Sequence, residues 1–192
     1  DIINMSLELD ARELSANVKD LMIQEVNEKL LDLIKVEGKG VLFIFAAGNE
    51  SIELHRNYYP GGIKEKNTIT VGSLERRNSI ANYSNFGERV DVYIRGSKIN
   101  SIIPNNLRER MTGTSMATPL ITNLAAKVKL LAPCATASKI KEIILETSIK
   151  KNLPIVVHDS LESDPLGNRE IRVASFGQAL KFAKEYGLSC FN

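Results

Sequence analysis

An uninterrupted apolar run at residues 41–47, VLFIFAA, constrains the fold more than any other feature of this chain. A strand with one solvent-exposed face alternates apolar and polar residues, whereas a strand covered on both faces stays apolar throughout. The run therefore predicts a strand of a parallel sheet with helices on both faces. Parallel neighbours need long crossover connections, so we expect helices to alternate with strands along the chain.

The segments around this run fit such an alternation. Residues 2–7 form a short apolar run, and residues 14–36 carry apolar side chains at helical spacing until the EGKG sequence ends the helix. The class predicted is α/β with a mostly parallel sheet, in one domain over residues 1–192. The further predicted elements are strands at 67–73 and 89–96, a hairpin around Asn105 and Asn106, helices over 111–133, 138–150 and 176–186, and short apolar runs at 153–159 and 169–175.

Composition argues against several classes of protein. The chain has 25 Lys and Arg against 23 Asp and Glu, with no block of like charge, so we predict neither a nucleic-acid nor a membrane partner. No apolar run is long enough to span a bilayer. Cys134 and Cys190 are too few for a disulfide scaffold, and a single bridge between them stays open. The chain opens on strand-like sequence without a Met, so we expect its N-terminal side to be incomplete.

The segment GTSMATP at residues 113–119 places hydroxyl groups at the start of an apolar helix. Gly113 permits a sharp turn, and Ser115 lies where free N–H groups and the helix dipole favour negative charge. Ser is also a preferred helix N-cap, so a capping role is the alternative. Asn49 follows the strand at 41–47, and its amide could donate to the same anion. A hydroxyl with two converging donors is typical of an acyl-transfer site with an oxyanion hole.

Three stretches of the chain resemble the C-terminal part of the catalytic domain of subtilisin-like serine proteases, and they occur along the chain in the family's order. GTSMATP resembles the nucleophile motif of that family, and VLFIFAAGNE resembles the strand that ends in its oxyanion-hole Asn. IINMSL resembles the strand that pairs with bound peptide, and NYSNFG and VDVYIRG follow in the family's order. The resemblance implies a serine endopeptidase with Ser115 as nucleophile and Asn49 as oxyanion donor. It covers about residues 1–150, and we expect residues 151–192 to form a divergent tail packed on the same domain.

The resemblance also implies the residues that contact a protein or peptide substrate. They lie along the peptide-binding edge and beside the oxyanion position: Ser6, Leu7, Glu8, Ala46, Ala47 and Gly48. Glu8 stands where the family usually has Gly, and Asn123 replaces another family Gly on the nucleophile helix. The Glu8 carboxylate could crowd the peptide, select a basic side chain or point to solvent, and we favour the solvent orientation.

The base that would activate Ser115 is not evident in this sequence. The family's triad runs Asp, His, Ser along the chain, and its Asp and His motifs are missing here. The resemblance implies that His55 borders the substrate pocket, and we interpret His158 as a surface or capping histidine. Ser138 and Lys141 match a Ser-Lys hydrolase pattern. Because they lie at the start of a predicted helix, a helix cap is the better interpretation. We therefore predict that this chain supplies the nucleophile and oxyanion hole but is nearly inactive alone; the alternative is an inactive peptide-binding module.

No cofactor and no metal site are predicted. Family members often bind calcium, but the chain has no carboxylate cluster at the spacing of a calcium loop. Expected partners are the peptide substrate, the chain's own missing N-terminal portion, and a second copy of the chain through an exposed sheet edge. Family analogy implies an exported protein, whereas the sequence itself leaves the compartment unknown.

Overall fold

A computed structural model describes residues 1–8, 21, 25–26, 28–75, 79–155 and 168–191. The described strands are β1 Ile2–Met5, β2 Leu42–Ala46, β3 Thr68–Leu74, β4 Val92–Arg95, β5 Ile99–Ile103, β6 Leu107–Met111, β7 Ile149–Pro154 and β8 Asn168–Val173. The first helix, α1, is described at residues 28–32 and continues into a π-helical turn at Leu33–Glu37. The later helices are α2 Thr114–Leu131, α3 Ala137–Glu146 and α4 Phe176–Leu188.

Six of these strands form one sheet in the order β1-β2-β3-β4-β8-β7. Strands β1 to β4 and β8 run parallel, and β7 alone is antiparallel, on the edge beside β8. Strands β5 and β6 form a separate antiparallel hairpin whose turn contains Asn105 and Asn106. The predicted α/β class with a mostly parallel sheet is therefore confirmed, as is the hairpin.

The two faces of β2 explain why its sequence is apolar throughout. Leu42 and Ile44 belong to the core cluster shared with α2, α3 and α4. Phe43 and Phe45 point the other way and pack with Ile34 of the π-helical turn. Every residue of β2 is buried, as its sequence predicts.

Several predicted boundaries are wrong. The helix predicted over 138–150 ends at Glu146, because the hydroxyls of Thr147 and Ser148 donate to carbonyls of its last turn and the chain then enters β7. The helix predicted from 111 begins at Thr114, since Met111 still pairs within the β5–β6 hairpin. The strand predicted over 89–96 is limited to β4. The predicted helix over 14–36 and the run at 153–159 lie partly outside the described residues.

The C-terminal segment shares the core of the sheet. Strand β8 pairs with β4 through Tyr93 and Val173, and Ala179 and Ala183 of α4 pack in the cluster that contains α2. Cys134 and Cys190 form a disulfide that joins the loop after α2 to the end of the chain. No helix in the part of the chain that the structure describes is long and apolar enough to cross a membrane.

Candidate active site

The topology brings three separate segments to one edge of the sheet. Because β1 and β2 are parallel neighbours, Ser6 and Asn49 follow strands that end side by side. Helix α2 packs across β1 to β4 and begins at Thr114. The strand ends and the helix start therefore place Ser6, Asn49 and Ser115 together, although 66 residues separate Asn49 from Ser115 in the sequence.

Thr114 fixes the side chain of Asn49 directly. The Asn49 Oδ1 atom accepts hydrogen bonds from the Thr114 N–H at 2.8 Å and from the Thr114 hydroxyl at 3.1 Å. The Gly48 N–H in turn donates to Thr114 Oγ1 at 3.2 Å. Since Oδ1 is occupied in this way, the Nδ2 donor of Asn49 points away from Thr114. Among the described residues, no acceptor is found for this Nδ2 group, and Asn49 is exposed.

Ser115 is not the N-cap of its helix, so the capping interpretation is wrong. The N-cap is Gly113, with φ 154°, a conformation that favours glycine. As the second residue of α2, Ser115 carries one of the N–H groups that have no acceptor within the helix. Its half-buried hydroxyl donates to the Ser6 carbonyl oxygen at 3.3 Å, which links the helix start to the segment after β1.

Glu8 does not point to solvent, so the orientation favoured from the sequence is wrong. The Tyr58 hydroxyl lies 2.7 Å from Glu8 Oε2 and 2.5 Å from Glu50 Oε2, which connects the segment after β1 to the loop after Asn49. Burial and the hydrogen bonds to Glu50 and Glu8 raise the pKa of Tyr58 well above its usual range. The tyrosine therefore stays protonated and presents its hydroxyl to both carboxylates.

The other predicted substrate contacts differ in their exposure. Leu7 is exposed and Ser6 is half-buried, whereas Ala46, Ala47 and Gly48 are buried. The Ala47 backbone is already satisfied, because its N–H donates to the Val71 carbonyl at 3.0 Å and its carbonyl accepts from Asn85. Substrate contacts by these six residues stay predictions.

The alternative catalytic pairings from the sequence do not form. Ser138 Oγ lies 3.0 Å from Thr136 Oγ1, whereas the Lys141 ammonium donates to the Glu65 carbonyl at 3.0 Å. The cap of α3 is Thr136, which accepts from the Lys139 N–H, and not Ser138 as expected. No hydrogen bond between His55 and Ser115 is found in the described structure, and His158 lies outside the described residues.

Sequence reasoning gave no role to three residues that contact the site: Thr114, Tyr58 and Asn85. Thr114 stands inside GTSMATP, and Asn85 stands inside NYSNFG, so both could have been found as polar residues within the segments that carry the resemblance. Tyr58 carried no such signal. The described residues contain no group of three His, Cys, Asp or Glu side chains that could hold a metal ion.

Comparison with known proteins identifies the family of this chain. The family model of the subtilases matches residues 1–179, beyond the 150 residues over which the sequence resemblance was clear. A subtilase-type proteinase of the sexual differentiation process in Schizosaccharomyces pombe is 35% identical over 142 residues, 73% of this chain and 28% of the relative. The major intracellular serine protease of Bacillus subtilis is 29% identical over 72% of this chain and 43% of the relative. This chain belongs to the subtilase family of subtilisin-like serine proteases.

The fold comparison shows a subtilisin-like fold and how much of the relatives this chain spans. A cold-adapted subtilisin-like serine proteinase superposes with a TM-score of 0.62 at 25% identity, covering 90% of this chain and 53% of that protein. A protease from Pseudoalteromonas arctica gives a TM-score of 0.65 at 24% identity. The chain thus spans about half of these structures and less than half of the curated relatives named above.

Proposed function

We propose that this chain is the nucleophile-bearing portion of a serine endopeptidase, in which Ser115 attacks the peptide carbonyl. The observation that carries the proposal is the hydrogen bonding of Asn49, whose Oδ1 is held by Thr114. That arrangement keeps the Asn49 Nδ2 donor available beside the start of α2, where the Ser115 N–H is also without an acceptor in its helix. Two donors beside one hydroxyl can stabilise the oxyanion of a tetrahedral intermediate.

In the proposed reaction, Ser115 Oγ forms a bond to the carbonyl carbon while its proton passes to a base. The carbonyl oxygen becomes an oxyanion, and Asn49 Nδ2 and the Ser115 N–H donate to it. The C–N bond then breaks, the leaving amine takes the proton, and water hydrolyses the acyl-enzyme ester. Removal of one such oxyanion donor from a subtilisin costs about 10²–10³ in kcat, and we expect a loss of the same order here.

The base is proposed to come from a polypeptide segment outside these 192 residues. The sequence has two histidines; no described contact places His55 beside Ser115, and His158 lies outside the described residues. Strand β1 lies at the end of the sheet order, and Ile3 on that strand is 42% exposed. We propose that a segment carrying the Asp and His packs against this edge. A second copy of the chain is the competing occupant, because an edge strand pairs readily with another chain.

The alternative is a catalytically inactive subtilase-like module that binds peptides. The observation that favours it is the position of Ser115 Oγ, which donates to the Ser6 carbonyl instead of to a base. A module of this kind would retain the peptide-binding edge after β1 without needing Asn49 and Ser115 together.

A fluorophosphonate probe separates the two functions. We expect no labelling of the isolated chain, because a serine hydroxyl without a base is a poor nucleophile. Adding the polypeptide encoded directly upstream of Asp1 should give labelling at Ser115, and Ser115→Ala should abolish it. Ser138→Ala is the matched control, since Ser138 hydrogen-bonds to Thr136 away from the site. If no labelling appears with the upstream polypeptide bound, the binding module is the correct function.

A further inference from the structure

Asn85 is a fully buried polar side chain between β3 and β4, next to the loop that carries Asn49. We propose that Asn85 is a positioning residue, which holds this loop so that the Asn49 amide meets the developing oxyanion. The inference rests on the proposed function, because it assigns Asn85 a role in the same site. It concerns a residue that does not itself touch the reacting atoms.

The described side-chain groups and the backbone N–H of Asn85 all bond to residues 47–52, whereas its backbone carbonyl accepts from the Ser84 hydroxyl. Its Oδ1 accepts from the N–H groups of Glu50 and Ile52, each at 3.1 Å. Its Nδ2 donates to the Ala47 carbonyl at 2.9 Å and to Glu50 Oε2 at 2.7 Å. Its backbone N–H donates to the Gly48 carbonyl at 3.1 Å. These five bonds reach residues on both sides of Asn49.

The loop needs such an external restraint at Ser51, which is a non-glycine residue in the left-handed region. Gly48 has φ 100° and Ser51 has φ 60°, so Asn49 lies between two residues with positive φ. A non-glycine residue in that region persists only where its surroundings hold it. The Ser51 N–H also donates to the Tyr83 carbonyl at 3.0 Å, which ties the same two loops together.

Positioning of this kind bears on catalysis through distance. An oxyanion donor works when it lies about 2.7–3.1 Å from the oxyanion, and a displacement of about 1 Å can cost roughly 10²-fold in rate. Thr114 fixes the Asn49 side chain through Oδ1, whereas Asn85 fixes the backbone that carries it. Loss of Asn85 should therefore lower kcat by at least about 10-fold, and by no more than the 10²–10³ expected for loss of Asn49 itself.

Hydrogen exchange of the isolated chain tests the restraint without relying on activity. In Asn85→Ala the amides of Glu50 and Ile52 should exchange at least about 10-fold faster, because they lose their acceptor. Asn82→Ala is the matched control in the same loop, since no side-chain bond is described for Asn82. If Asn85→Ala does not fold, exchange in the unsubstituted chain is the remaining readout: the Glu50 and Ile52 amides should exchange at least about 10-fold more slowly than unstructured amides, and exchange at the unstructured rate would overturn the restraint. Unchanged exchange in Asn85→Ala, or equal acceleration in Asn82→Ala, would overturn the restraint.

Kinetics of the protease assembled with its upstream polypeptide test the link to catalysis. We expect Asn85→Ala to lower kcat with KM changed by less than about threefold, and Asn82→Ala to leave both unchanged. The double variant Asn49→Ala/Asn85→Ala should lose little more than Asn49→Ala alone, because the donor that Asn85 positions is already gone. The positioning role of Asn85 would be refuted if the kcat loss of the double variant equalled the product of the two single losses. It would also be refuted if Asn85→Ala left kcat unchanged. An inactive assembly of the unsubstituted chain refutes the proposed function itself, and the exchange result still stands on its own.

Discussion

Removal of the Cys134–Cys190 disulfide should lower the stability of the described domain substantially. The bridge spans 56 residues of sequence and encloses α3, β7, β8 and α4. In the chain-entropy account, closing a loop of this length removes about 14 cal/mol/K from the unfolded chain, which is about 4 kcal/mol at 25 °C. For a protein of this size that corresponds to a fall in Tm of roughly 10 °C.

The assay is urea unfolding followed by circular dichroism, comparing the unsubstituted chain with Cys134→Ser/Cys190→Ser. We expect the free energy of unfolding to be lower by up to about 4 kcal/mol in the double variant. Reductant should shift the midpoint of the unsubstituted chain toward that of the variant and leave the variant unchanged. Intact mass before and after reduction checks that the bridge is present. Equal midpoints for a chain proven oxidised and for the variant would refute the loop-entropy reasoning.

Two further predictions concern the loop after β2 and its tyrosine. Gly48→Ala should destabilise the protein by about 3 kcal/mol or more, because φ at Gly48 is 100° and a Cβ would overlap the Tyr58 hydroxyl and the Asn85 amide. Gly40→Ala is the control: a Cβ there meets open space, so the unfolding midpoint should change little. Equal midpoints for the two variants would contradict this. The pKa values of Tyr58 and Tyr93 are raised, chiefly by burial, so the stability they contribute is present below pH 10 and is lost as pH rises above it. Urea midpoints from pH 8 to 11 should fall less steeply in Tyr58→Phe than in the unsubstituted chain, and parallel curves would count against this assignment.

Much of the fold could be predicted because buried elements have recognisable apolar patterns in the sequence. The apolar run 41–47 identified β2, and the apolar period of residues 114–131 identified α2. Element ends were less well predicted. The end of α3 depends on hydroxyl groups that bond to its last carbonyls, and such local competition is not visible in an apolar pattern.

The sequence by itself determined which residues are candidates for the chemistry and the family to which they point. Ser115 and Asn49 were candidates because each lies next to a buried element, within a segment that resembles a motif of the family. Tertiary structure decided how they are held, because their partners come from distant segments. The hydroxyl of Tyr58 meets Glu8 across 50 residues, and Asn85 reaches Glu50 across 35. Distances between such segments are set by strand order and loop packing, which no local pattern encodes.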